Sequence, residues 1–320
     1  MQRKGLIGLV ACVALLAALL TQVQWPHVWV SMVQVPIQVW LAAGLGACAS
    51  FALRAARMQR EWRHISTATW PACLHLFLWH NAALAWLPFR SGEGVYWWWL
   101  VKRWNLSHAQ AITSLLWLRI QDGLVLLWIT AVAMAPILVP GSWALQPWQM
   151  LLPMLLPLGL GLALWWILPY FWGGILMRLQ VYAQASMLKR IISALQTNRG
   201  GRVGWCLCAA NWWLKLAVLG LLLQALAPLG FMVALRGALG GEWAALLPLN
   251  GPAGLGPYEA GVWLGVHADE LHWNMQQWRA FVLGDVIAAA LVAHVFWLLI
   301  ATLAAVIVHS VKLGNTTNYE

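Results

Sequence analysis

Long apolar runs, each closed by a short polar or basic stretch, follow one another along nearly the whole chain. About 20 consecutive apolar residues, wound as a helix, cross a hydrocarbon core of about 30 Å. Runs of that kind cover 5–20, 33–53, 110–137, 148–170, 203–226 and 280–309, so about six full membrane-spanning helices are predicted. Two regions break the pattern. The apolar helix expected over 67–87 runs into Leu87-Pro88-Phe89-Arg90-Ser91-Gly92-Glu93-Gly94, and the region 227–266 contains Leu247-Pro248-Leu249-Asn250-Gly251-Pro252-Ala253-Gly254-Leu255-Gly256-Pro257-Tyr258-Glu259. Proline removes a backbone donor and glycine accepts positive φ, so neither stretch can continue a helix. Unwound backbone at membrane depth survives only where protein or a wet cavity surrounds it. Each stretch is therefore predicted as a re-entrant broken hairpin beside a cavity.

The two broken motifs look like repeats. Both carry Leu-Pro, then glycine, then glutamate, and each glutamate is followed by an arginine and an aspartate: Glu93 by Arg119 and Asp122, Glu259 by Arg279 and Asp285. Gly/Pro-interrupted segments in corresponding halves are the best sequence pointer to a transporter's binding site. The chain thus divides into a first half, 1–177, with its broken motif at 87–94; an amphipathic cytoplasmic linker, 178–202; and a second half, 203–320, with its broken motif at 247–259. One hairpin would enter from inside and the other from outside, making an inverted repeat within a single all-α, polytopic membrane domain.

Charge sets the orientation. Of the nineteen Lys and Arg residues, all but Arg90, Arg119, Lys215, Arg236 and Arg279 fall on one side of this topology, which the positive-inside rule makes cytoplasmic along with both termini. Arg3 and Lys4 ahead of 5–20 imitate a secretory signal, but no convincing cleavage site follows, and the run is predicted as the first span. Arg54, Arg57, Arg60 and Arg63 are expected to stop the second span as a cytoplasmic cluster. The net charge of +10 is accounted for by span ends rather than by a nucleic-acid surface. With 62% hydrophobic residues, the spans are expected to fill the chain and leave no separate soluble catalytic module. The five cysteines lie in apolar stretches without metal-ligand spacing, and no cofactor or metal is expected.

An ionisable side chain at the bilayer centre costs about 2.5–3.5 kcal/mol on insertion scales. Arg90, Glu93, Arg119, Asp122, Glu259, Arg279 and Asp285 are accordingly expected to share a polar interior, with Asn81 and His80 at its edge and Pro88, Gly92, Pro248, Gly254 and Gly256 shaping its backbone. Arg119 and Asp122 share a helical face and can pair with each other, as can Arg279 and Asp285. The alternative is that Arg90, Arg119 and Arg279 take a phosphate head group while the glutamates take a cation, an amine or a proton; arginine's planar fork suits phosphate. Lys215 is expected to snorkel or pair with a carboxylate. His75, His267, His272 and His294 are expected at interfaces or in helix packing.

Asn81 to Glu93, with Leu87-Pro88, Arg90 and Gly92-Glu93, resembles the N-x-x-L-P-x-R-x-G-E region of the lysylphosphatidylglycerol synthase transmembrane family, the flippase-like membrane proteins. Leu116 to Leu124, with Arg119 and Asp122, is similar to the segment that follows there, and Gly254-Leu255-Gly256-Pro257-Tyr258-Glu259 is similar to the family's G-x-G-x-x-E. The resemblance covers nearly the whole chain. It implies a stand-alone member, without the soluble synthase domain, that moves lipid between leaflets of the bacterial inner membrane. Tyr258 stands where many members carry arginine, which weighs against a lysyl-lipid substrate. The expected function is translocation of an anionic phospholipid, polyprenyl-phosphate or glycolipid head group, with membrane lipids as partners and no enzyme activity. The rival expectation is a non-transporting partner of a glycosyltransferase or lipid-synthesis enzyme.

Overall fold

The computed structural model describes residues 25–65, 67–87, 91–138, 154–155, 157–163, 178, 189, 201–246, 252–268 and 285–316. Regular structure among these residues is helical throughout. In chain order the helices are α1 (Trp25–Gln34), α2 (Ile37–Glu61), α3 (Trp70–Trp86), α4 (Glu93–Arg103), α5 (His108–Leu138), α6 (Gly201–Leu226), α7 (Phe231–Leu246), α8 (Pro257–Val266) and α9 (Asp285–Thr316), with a 3-10 turn at Pro252–Gly254. Residues 157–163 are also helical.

Among the described residues, four stretches are long and apolar enough to cross a membrane: Ile37–Glu61, His108–Ala135, Gly201–Leu226 and Asp285–Ser310. Leu41, Leu45, Leu127, Leu221, Leu299 and Leu303 stand exposed along them. Helices that are apolar both inside and out suit lipid rather than water. The predicted spans 5–20 and 148–170, and most of the predicted linker, lie wholly or largely outside the described residues.

Two boundaries differ from the sequence expectation for a physical reason. The second span does not stop at Arg54: α2 continues about two more turns to Glu61. Arg57 is buried and paired, and the Arg54 guanidinium lies 5.6 Å from the Phe77 ring centroid and 5.2 Å from that of Trp212, so these charges have partners that let the helix run on. Only Arg60 and Arg63 of that cluster are exposed. The linker's last residues, Gly201 and Arg202, form the first turn of α6.

The chain separates into two compact units, Ser50–His80 with Glu93–Trp213, and Met1–Ala49 with Asn81–Gly92 and Leu214–Glu320. In the first, α4 packs on α5. Glu93 opens α4 and Lys102 and Arg103 close it, each charge opposing the helix dipole at its end. Ser107 and Gln110 start α5 reciprocally: the Ser107 N–H donates to Gln110 Oε1 at 3.0 Å and the Gln110 N–H to Ser107 Oγ at 3.3 Å. Phe51, Trp62, Leu76, Tyr96, Leu100 and Leu126 are the buried apolar body of this unit.

In the second unit, α7 packs closely on α8, and α8 also packs on α9. Gly237 and Gly241 on α7, and Gly261 and Gly265 on α8, each sit four residues apart, the small-residue spacing that lets helices approach backbone to backbone. A Cβ built on Gly261 would run into the Gly240 carbonyl, and one on Gly265 into the Arg236 carbonyl.

Candidate functional site

In the unit of Ser50–His80 and Glu93–Trp213, a polar seam runs along one face of α2. Ser50, Arg54, Arg57 and Glu61 recur every three or four residues, so a helix places them in one stripe. Arg57 is the centre of the seam. Its Nη1 donates to Asp122 Oδ1 at 2.6 Å and to Cys208 Sγ at 3.2 Å, its Nη2 to the Leu118 carbonyl at 2.9 Å, and its Nε to Gln121 Oε1 at 3.3 Å. Asp122 also accepts from the Trp212 indole at 3.0 Å. Both charges are 5% or less exposed. At that burial a pair is held by its hydrogen bonds, and losing one partner strands the other charge.

Higher on the stripe, Ser50 Oγ donates to Asn211 Oδ1 at 2.6 Å. At its far end Ser114 Oγ donates to Glu61 Oε1 at 2.7 Å, and the Tyr96 hydroxyl lies 2.7 Å from Ser114 Oγ. Apart from these buried groups, Arg119 pairs with Glu93 at 3.1 Å with both side chains nearly a third exposed. Arg119 is thus a partly accessible arginine on a spanning helix, paired with a carboxylate, while its Nε and Nη2 atoms are themselves buried. The same unit holds an apolar cavity of about 480 Å³ lined by side chains that include Leu124, Trp128, Leu160 and Trp205.

The other unit is organised by the broken segment. Ala253, Gly254 and Gly256 take positive φ of 61°, 69° and 94°, and Pro257 then starts α8 at a position where its missing N–H costs nothing. Glu259, third in the helix, turns its carboxylate back: Oε2 accepts the Gly256 N–H at 2.6 Å and Oε1 meets His294 Nδ1 of α9 at 2.8 Å. Glu259 is 1% exposed, and the Tyr258 ring lies 4.1 Å from the His294 ring. Nearby in the fold, Lys215 of α6 pairs with Glu242 of α7 at 2.6 Å, its ammonium 5.2 Å from the Trp297 ring. Asp285, exposed at the start of α9, lines a polar cavity of about 520 Å³ with Gln34 and Gln224.

Several expected pairings resolve differently. Arg119 and Asp122 share a helix but do not pair: Asp122 turns to Arg57, and Arg119 to Glu93. Arg57, expected in the cytoplasmic cluster, is a buried ligand of Asp122, because the helix period carries it to the same face as Ser50 and Glu61. His294, expected in plain helix packing, holds Glu259. Lys215 pairs with a carboxylate. Asn81 is half-buried in α3, and Gly92 is buried before α4. Arg90, Arg279, Pro88 and Pro248 lie outside the described residues. The sequence signal for Arg57 and Glu61 was present as the 50-54-57-61 spacing, masked by two exposed arginines in the same run; Lys215, a lone charge in an apolar helix, pairs with a carboxylate as one of its two expected roles had it, while His294 stands alone in an apolar helix and gave no sign of its partner.

No family model matches the chain, and no curated protein matches it.

Proposed function

We propose that this chain is a lipid translocase that passes an anionic head group through a polar interior while the acyl chains stay in lipid. The supporting observation is the burial of the Arg57–Asp122 pair on two helices fit to cross a membrane, since ionisable groups in such helices generally mark a pathway. The broken segment before Glu259 supports the same reading, because unwound backbone among spanning helices belongs beside protein or a cavity. The proposed architecture is six full spans with two re-entrant hairpins in inverted halves, in the bacterial inner membrane with both termini cytoplasmic. Its proposed kinship is with the flippase-like lysylphosphatidylglycerol synthase transmembrane proteins.

Within this reading the roles differ from residue to residue. Arg119 is the arginine assigned to phosphate, because it and its partner Glu93 are both partly exposed. Arg90 and Arg279 are further candidates on sequence grounds. Arg57 is fully committed and keeps the helices in register. The apolar cavity beside Trp128 suits an acyl chain next to the head-group path.

The test is transbilayer movement of fluorescent phospholipids and polyprenyl phosphates in liposomes carrying the purified protein. Movement that Arg119→Ala abolishes, with folded protein retained, is the expected result. A folded protein that moves no lipid, or a variant as active as the parent, defeats the proposal; co-purification with a glycosyltransferase or lipid-synthesis enzyme would then point to a partner role.

A further inference from the structure

Among the described residues, Glu61 is the carboxylate of the α2 seam that makes no ion pair. It is 4% exposed, at the last turn of a helix fit to span a membrane. Oε1 accepts the Ser114 hydroxyl, while Oε2 is buried and meets no donor among the described residues. Among the described residues, few charged and titratable groups face it. On its own helix is Arg57, whose guanidinium is already spent on Asp122, Gln121, Cys208 and the Leu118 carbonyl. From α4 comes Tyr96, through Ser114; from α3 comes Cys73, close enough to feel the Glu61 charge. From α5 the facing group is the neutral Ser114.

A buried carboxylate with one hydroxyl partner and an empty oxygen leaves most of its charge unanswered, and burying charge in that state is costly. A metal ion does not answer it: two carboxylate oxygens and one hydroxyl fall far short of the six or more oxygens that a hard cation takes. A proton does, since it needs only Oε2. The surrounding bonds suit its arrival and departure. Trp62 Nε1 donates to the Tyr96 hydroxyl at 3.5 Å, and the Tyr96 and Ser114 hydroxyls lead on at 2.7 Å each to Oε1, two hydroxyl rotors anchored at one end by an indole that can only donate. Exposed Arg60, Arg63 and His64 flank Glu61 in sequence, so water lies close to this end of α2.

We infer that Glu61 is a proton-binding site of this protein, taking a proton from water on Oε2 and returning it, with Ser114 and Tyr96 as the hydrogen-bonded chain that adjusts. The inference goes beyond lipid translocation and does not depend on it.

The experiment is infrared difference spectroscopy of the purified full chain in detergent, titrated over the pH range in which it stays folded, in H₂O and D₂O. The expected result is a carboxylic-acid carbonyl band that grows as pH falls, shifts in D₂O and is missing from Glu61→Gln. Glutamine imitates the protonated acid in shape and charge, so that variant is expected to be as heat-stable as the parent. Ser114→Ala and Tyr96→Phe guard against a misfolded glutamine variant: each is expected to move the band by removing a bond from the chain. A pH-dependent band unchanged in Glu61→Gln, a band that neither Ser114→Ala nor Tyr96→Phe moves, or no pH-dependent carboxyl band in the parent would overturn the assignment.

Discussion

Glu93 and Glu259 follow similar strings of proline and glycine, and both sit in the first turn of a short helix. Their surroundings are opposite. Glu93 is about 30% exposed and pairs with Arg119. Glu259 is almost fully buried, with one oxygen on the Gly256 N–H and the other on His294. The same local grammar therefore builds an open ion pair in one unit and a closed lock in the other. A glutamate at the third position of a helix can reach back to the capping residue; one at the first position has no such reach and turns outward. Position within the first turn decides whether the carboxylate is spent on architecture or kept available.

The contrast between spent and available charges can be broken by substitution. The largest effect is expected at Asp122→Ala, which strands Arg57 in the interior and should cost about 3–5 kcal/mol, read as a large fall in the thermal midpoint or as loss of monodisperse protein in detergent. Replacing both partners, Arg57→Met with Asp122→Leu, should recover much of that loss, because an apolar pair leaves no charge unanswered. A double variant as damaged as the single one would mean that Arg57 has a role beyond holding Asp122. Next comes Glu259→Gln. An amide keeps one acceptor but removes the carboxylate's negative charge and its second acceptor oxygen, so a loss of about 1–3 kcal/mol is expected, visible by tryptophan fluorescence on heating. A neutral outcome would place Glu259 with Glu93, among the available carboxylates.

What the sequence made legible follows from how each feature is encoded. Helical spans were readable because burial in lipid demands uninterrupted apolar runs, and α5, predicted at 110–137, is found at His108–Leu138. The break at the second motif was readable because proline and glycine act on their own backbone, as the turn at Pro252–Gly254 and the start of α8 at Pro257 bear out. Partner choice was not readable. Arg119 and Asp122 are three residues apart, yet each pairs across to another helix, and the distance along the chain from Arg57 to Asp122 gives no hint of the 2.6 Å between them. The end of α2 was misread for the same reason: an arginine marks a span's end only if it has no buried partner, and partners are a tertiary fact.

A smaller effect is expected inside the broken segment itself. Ala253 holds φ of 61°, in the left-handed region where a Cβ is unfavourable, beside two glycines that occupy it freely. Ala253→Gly should therefore raise stability by up to about 1 kcal/mol, less whatever the freer unfolded chain takes back. A clear loss on heating would show that the Ala253 methyl, which is buried, contributes more by packing than its backbone costs.

The smallest change in stability belongs to Glu93→Gln, and it separates the two glutamates most sharply. A partly exposed ion pair is worth roughly 0–1 kcal/mol, so heating curves of this variant and the parent should nearly coincide. Its effect should appear instead where Arg119 meets its ligand. Freed of its carboxylate, Arg119 would bind a phosphate head group more readily and release it more slowly. Lipid movement in liposomes should then saturate at lower lipid concentration and run at a lower maximal rate. Unchanged movement at unchanged stability would make the Glu93–Arg119 pair an ordinary surface contact. A stability loss as large as that of Glu259→Gln would erase the distinction between the open pair and the closed lock.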